Sequence, residues 1–270
     1  MLPVALKEAA GLFPYVQEPA LTLGPVAISA YAVLVCIAIV VGMELVVRRA
    51  PRVGLSRESA SSLVGWTILW GFVGAHIFEV LAYEPEMLRE DPLEILRIWT
   101  RWSSFGGIVA GIVAAIVMMR RRGMPAGARL QFLDLVAFAF PFAWIFGRAG
   151  CALRHDHLRI RSDHWLAVAF PDGARFDLGL LELLYTLPIA ALFAWLGRSE
   201  RPAGFFLGLF FALYGPMRFF LDTLRTDDAR YLGWTPAQYL CVLSTLGGVA
   251  LLAAALRRQA GAAASPGSGS

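Results

Sequence analysis

The sequence predicts an all-α integral membrane protein of about seven transmembrane helices. Three observations predict it: charged residues are scarce, apolar stretches of membrane-crossing length recur, and arginines cluster in alternate connections. Of 270 residues, 58% are hydrophobic and 16% are charged, whereas soluble domains carry about a quarter charged residues. The mean hydropathy is +0.62. Crossing a hydrocarbon core about 30 Å thick takes roughly 20 mainly apolar helical residues. Seven stretches qualify: Gly24–Val47, Ser61–Tyr83, Ser103–Met119, Gln131–Leu153, Leu178–Leu196, Ala203–Leu221 and Ala237–Leu256. They are too long for barrel strands and lack alternation of period two, so helices are the expected form.

The connections orient the chain. Arg48, Arg49, Arg52 and Arg57 lie between spans one and two, and Arg120, Arg121, Arg122 and Arg129 between three and four. Arg198 and Arg201 follow span five, and Arg257 and Arg258 follow span seven. With seven spans all four groups fall on one face, and arginine-rich short loops mark the cytoplasmic side. The N-terminus is therefore expected in the periplasm and the C-terminus in the cytoplasm of a bacterial inner membrane. Residues 1–23 are expected as a periplasmic segment, 24–256 as the membrane domain and 257–270 as a disordered cytoplasmic tail rich in Gly, Ala and Ser. Met1–Ala20 holds two glutamates and three prolines and is expected to carry no cleavable signal peptide.

The formal charge of +4 comes almost wholly from arginine, Lys7 being the single lysine. Such an excess is ordinary loop charge and argues against nucleic acid as a partner. Cys36, Cys151 and Cys241 lack metal or disulfide spacing and read as small hydrophobes. His155, His157 and His164 show no regular ligand spacing, so no metal is expected.

The informative polar residues lie inside the spans. Given the orientation, Tyr31 falls in the outer part of span one, and His76 and Glu79 share a helix face near the outer end of span two. Ser103, Ser104, Phe105, Gly106 and Gly107 open span three. Arg148 stands near the exit of span four, within Gly147-Arg148-Ala149-Gly150, and Glu182 near the start of span five. Tyr214, Arg218 and Asp222 lie toward the end of span six. A charged group within a span costs about 2.5–3.5 kcal/mol at the bilayer centre on insertion scales. Several at one depth imply a shared polar cavity open to the outer leaflet. Each has a plainer reading. Arg218 and Asp222, four apart, can simply pair. His76 and Glu79 can be a structural pair, Arg148 can snorkel, and the glycines can serve close helix packing. Tyr31 and Tyr214 can belong to the interfacial belt, and Glu44 and Asp134, near the inner face, read as interfacial or structural. A small-molecule transporter is a further reading, weakened because the charges crowd one side and no internal repeat is visible.

From Leu23 to Leu256 these residues resemble the prolipoprotein diacylglyceryl transferase family. The resemblance is carried by Leu23-Gly24-Pro25-Val26 followed by Tyr31, and by Asp91-Pro92-Leu93 through Arg97-Ile98-Trp99 to Ser104-Phe105-Gly106-Gly107. It continues with Asp134 through Pro141-Phe142 to Gly147-Arg148-Ala149-Gly150. The closest stretch is Tyr214-Gly215-Pro216-Met217-Arg218-Phe219 through Asp222, Arg225, Asp228-Ala229 and Gln238. The resemblance implies seven spans with an outward N-terminus. It also implies transfer of a diacylglyceryl group from phosphatidylglycerol to the lipobox cysteine of a preprolipoprotein, with no cofactor. Arg148 and Arg218 are then the candidate phosphate clamp, and Asp222, His76 and Glu79 the candidates for taking the thiol proton. Tyr31, Tyr214, Gly106, Gly107, Arg225, Glu79, Glu182 and Asp156 are candidates for substrate binding. Phe105 stands where the family has histidine, and Cys151 where it has asparagine. Asp156 and Asp222 stand for acidic family residues, Glu182 for a glutamate, and His76 for the second-span arginine of many members. These departures leave a second reading open: a degenerate paralogue that binds an anionic phospholipid, or passes a lipid group to another acceptor, without thiol transfer.

Overall fold

A computed structural model of the chain describes residues 13–24, 26–97, 102–155, 158–225 and 229–264. Among the described residues there are eight α-helices: α1 (Ala30–Arg49), α2 (Arg57–Phe78), α3 (Pro85–Glu90), α4 (Ser104–Arg121), α5 (Ala126–Arg154), α6 (Leu178–Leu196), α7 (Phe205–Thr223) and α8 (Pro236–Ala264). All but the short α3 are long and apolar enough to cross a membrane. The chain is a multi-pass membrane protein, and all seven expected spans are helical. Among the described residues six short strands lie outside the spans: β1 (Phe13–Pro14), β2 (Ala20–Leu23), β3 (Val26–Ser29), β4 (Leu158–Arg161), β5 (Val168–Phe170) and β6 (Gly173–Asp177).

Span boundaries differ from expectation where capping chemistry intervenes. The first span begins at Ala30, not Gly24. Ala20–Leu23 pairs antiparallel with Val26–Ser29, so the apolar run before residue 30 is a hairpin turning at Gly24 (φ +60°). Side chains then cap the helix: Ser29 Oγ accepts from Ala32 N–H at 3.2 Å, and Glu18 Oε1 from Tyr31 N–H at 3.2 Å. The second span starts four residues early, at Arg57, because Ser56 is its N-cap and accepts from Ser59 N–H at 3.1 Å. The expected tail is helical through Ala264, since alanine is the strongest helix former and extends α8 past Arg258. Residues 265–270 lie outside the described residues.

The chain divides into two compact units. The first comprises Met1–Val41, Phe140–Ala194 and Thr223–Thr226, the second Gly42–Ala139, Trp195–Asp222 and Asp227–Ser270. In the first unit the connection from α5 to α6 supplies three strands that join β1 in a sheet of order β1-β5-β6-β4. β1 pairs in parallel with β5, while β5 and β4 flank β6 antiparallel. His155 clasps this sheet, with Nδ1 2.7 Å from Asp177 Oδ2 and Nε2 3.0 Å from the Val16 carbonyl oxygen. Burial pushes the Asp177 carboxyl up from its ordinary value, against the lowering pull of the His155 bond.

The second unit packs its apolar core where the arginine-rich ends of its helices meet: Val46, Ala60, Leu63, Met119, Phe132 and Leu135. Two polar groups tie this end together. Asp134 Oδ1 accepts from Leu207 N–H at 2.8 Å, satisfying a first-turn donor of α7. Arg49 donates from Nη2 to the Gly197 carbonyl at 2.5 Å and stacks 3.6 Å over the Phe138 ring. Substituting Asp134→Ala is expected to cost about 1–2 kcal/mol, the usual worth of such a cap. Thermal unfolding in detergent, followed with and without the substitution, checks it; an unchanged midpoint would mean the cap is dispensable.

Candidate active site

Each unit carries a buried arginine inside a span, held by a buried carboxylate. In the first unit this is Arg148. Its Nε lies 2.9 Å from Glu182 Oε2, with the side chains 4% and 1% exposed. Glu182 thus places its negative charge beside the guanidinium, whose Nη1 sits 3.8 Å from Cys151 Sγ and whose Cζ lies 4.4 Å from the Trp144 ring centroid. A glycine lets α6 come this close to α5. A Cβ on Gly179 would stand 2.8 Å from Ala152 N and 2.9 Å from Cys151 Cβ. Gly150 does the same for α1, since a Cβ there would lie 3.0 Å from the Tyr31 ring. Tyr31, Arg148, Cys151 and Glu182 are therefore gathered at one level by close crossings of three helices. Tyr31 also receives Arg154 over its ring face at 5.0 Å.

In the second unit Arg218 and Asp222 pair along α7, Nη2 to Oδ1 at 3.2 Å, with side chains 6% and 0% exposed. The four-residue spacing allowed this reading. Asp222 Oδ2 also accepts from Thr235 Oγ1. Thr235 in turn caps α8 reciprocally: its N–H donates to Gln238 Oε1 at 3.0 Å, and Gln238 N–H donates to Thr235 Oγ1 at 3.3 Å. This is a capping box. One turn before Arg218, the buried Tyr214 ring stacks on Phe210 at 5.1 Å and lies 6.2 Å from Phe105. Phe105 is thus a core residue, 2% exposed.

Of the remaining candidates, His76 is fully buried with Nε2 3.0 Å from the Glu94 carbonyl oxygen. Glu79 opens a π-helical turn, Glu79–Tyr83, that ends α2, and Arg225 is half-buried just beyond α7. Asp156 lies outside the described residues. Gly106 and Gly107 are accounted for by packing. A Cβ on Gly106 would strike the Phe78 side chain, and one on Gly107 would lie 3.3 Å from both Ala75 Cβ and Gly71 O. Gly106→Val is accordingly expected to destabilise the protein by about 1–3 kcal/mol through overpacking of α2 against α4, even without substrate. A melting curve of substrate-free protein tests this, and an unaltered curve would show that the packing does not require a glycine at 106.

Two residues important to the site escaped the sequence reading. Thr235 was visible as Thr-Pro-Ala-Gln, a cap signature with proline at the first helical position. Trp144 had no signal beyond lying four residues before Arg148.

The family profile described as prolipoprotein diacylglyceryl transferase matches residues 18–254 of the chain. The chain belongs to the prolipoprotein diacylglyceryl transferase family. Among its relatives, a protein of Azotobacter vinelandii is 32% identical over 263 residues, covering 92% of this chain and 97% of its own. One of Pseudomonas aeruginosa is 31% identical over 259 residues with the same coverage. One of Pseudoalteromonas atlantica is 30% identical over 261 residues, or 91% of each chain. All three are named phosphatidylglycerol–prolipoprotein diacylglyceryl transferase. The resemblance carried by Arg148, Tyr214, Arg218 and their neighbours thus extends over nearly the whole chain as family membership.

Proposed function

We propose that this member of the family transfers a diacylglyceryl group from phosphatidylglycerol to the lipobox cysteine thiol of a prolipoprotein. The observation that carries the proposal is the match to the transferase family along almost the whole chain. A cation clamped by a carboxylate within the membrane, Arg148 on Glu182, supports it. The thiolate sulfur attacks the glyceryl carbon that bears the phosphate ester. A C–S bond forms, the C–O bond breaks with its electron pair going to oxygen, and glycerol phosphate leaves with the negative charge. The proton of the thiol passes to a basic side chain.

Two features of this chain suit those steps. The departing phosphate needs fixed positive charge, and the planar guanidinium matches phosphate through paired donors. Arg148 and Arg218 have that role in the proposal, with Glu182 and Asp222 fixing their orientation. Tyr31 and Tyr214 are assigned to the headgroup hydroxyls. A thiol of ordinary pKa near ~8.5 must lose its proton to react well. Phe105 provides no base where the family has histidine, so the proton acceptor is assigned among His76, Asp222 and Glu79. Arg225 and Asp156 remain proposed substrate contacts at the membrane surface. The arginine-rich connections support insertion in a bacterial inner membrane with the N-terminus in the periplasm and the C-terminus in the cytoplasm.

The degenerate-paralogue reading draws no support from the relatives, whose names all specify the transferase. Purified protein given labelled phosphatidylglycerol and a lipobox peptide is expected to yield a thioether product, detected by its mass. Lipid binding without that product would reject the transferase reading.

A further inference from the structure

A two-residue turn between α7 and α8 presents an apolar side chain where turn chemistry calls for a polar one. Tyr231 and Trp234 face each other as an isolated antiparallel pair, with Tyr231 N–H to Trp234 O at 2.8 Å and Trp234 N–H to Tyr231 O at 3.1 Å. Between them Leu232 has φ +50° and Gly233 φ +86°. Two successive positive φ values favour Asn-Gly or Asp-Gly, because a bulky side chain clashes with its own backbone in that region. Leucine here is strained, and it is 99% exposed, so no contact within the protein repays the strain.

The turn is nonetheless firmly built. Tyr231 Oη donates to the Ala82 carbonyl at 3.1 Å, and Tyr239 Oη donates to the Tyr231 carbonyl at 2.5 Å. Arg230 Nη1 donates to the Gly233 carbonyl at 3.4 Å. The Trp234 ring meets Phe219 edge-on at 5.3 Å and Tyr239 at 5.3 Å. The bracing reaches the end of α2, the end of α7 and the start of α8. All three are span ends on the face opposite the arginine clusters. Tyr231 and Trp234 are 46% and 40% exposed beside the tip, the amphipathic pair typical of headgroup level.

We infer that residues 231–234 form a rigid interfacial wedge that seats Leu232 in the lipid at the boundary between headgroups and acyl chains. The partner is the bilayer surface. Burying an exposed leucine in lipid repays its backbone strain, because transfer of apolar surface out of water is favourable. The inference does not depend on the proposed transfer reaction.

The test places a nitroxide on Leu232→Cys in full-length protein whose three native cysteines are replaced by alanine, reconstituted in nanodiscs containing phosphatidylglycerol. Oxygen is expected to relax the label several-fold more effectively than a water-soluble nickel chelate, as it does within a bilayer. Equal access to both probes would overturn the wedge. So would a label open to nickel until a lipobox peptide is added, because the turn would then contact peptide and not lipid. A second variant guards against misfolding. Leu232→Asn suits the left-handed backbone and is expected to raise the midpoint of thermal unfolding in detergent. A lower midpoint would place Leu232 against protein and overturn the inference.

Discussion

Arg148→Ala is expected to abolish lipoprotein maturation when this chain replaces the transferase of a deficient bacterial strain. Losing one well-placed donor to a developing oxyanion typically costs about 10²–10³ in rate, and Arg148 also neutralises its own buried partner. Its Nε is 2.9 Å from Glu182, so truncation leaves a carboxylate enclosed by α5 and α6 without the cation that orients it. Removing one member of a buried pair usually costs about 3–5 kcal/mol. Arg148→Lys separates stability from catalysis. Lysine restores a positive charge opposite Glu182 but offers a point charge in place of a planar fork. It is expected to recover most of the thermal stability in detergent and little of the transfer rate, measured as thioether formed per minute. A lysine variant as active as the parent would show that charge alone suffices. Full complementation by Arg148→Ala would remove Arg148 from the reaction altogether.

The legible and illegible parts of this protein divide along physical lines. Spans announce themselves because about 20 apolar residues in a row have no soluble use, and Leu178–Leu196 coincides with α6 to the residue. What misleads is an apolar run with no helical obligation. Gly24–Ser29 runs into the span with three apolar residues of its own, yet Gly24 turns the chain and Ser29 caps the helix behind it. The small sheet of residues 158–177 was hidden for a related reason. Its strands are three to five residues long, rich in Arg and Asp, and join β1 from the far side of four spans. Nothing local to those residues encodes that pairing.

Among the candidate residues, the i,i+4 spacing made the Arg218–Asp222 pair readable. The Arg148–Glu182 pair was not, because 34 positions of chain separate its members and only the glycine-mediated approach of α6 to α5 joins them. Gly106 and Gly107 carry both of their readings. Their place in a family signature drew them among the substrate-binding candidates, whereas Phe78 and Gly71 across the helix interface already require them.

Arg218 poses a sharper question, because its ion pair with Asp222 explains it without any substrate. Asp222 is wholly enclosed and joined to Thr235 as well, so Arg218→Ala is expected to strand a buried charge. The single variant should lose about 3–5 kcal/mol of stability, and its inactivity alone would therefore say little about catalysis. The double variant Arg218→Ala with Asp222→Ala removes both charges. It is expected to recover much of that stability, since replacing a whole buried pair by apolar groups is often near neutral. If Arg218 carries part of the phosphate charge, the double variant stays inactive although it is folded, with thioether formation down at least about 10²-fold. If the pair merely holds α7 to the capped start of α8, folding and transfer return together. Parallel unfolding curves and single-turnover assays on both variants decide between these outcomes, and recovery of transfer in the double variant would strip Arg218 of its catalytic assignment.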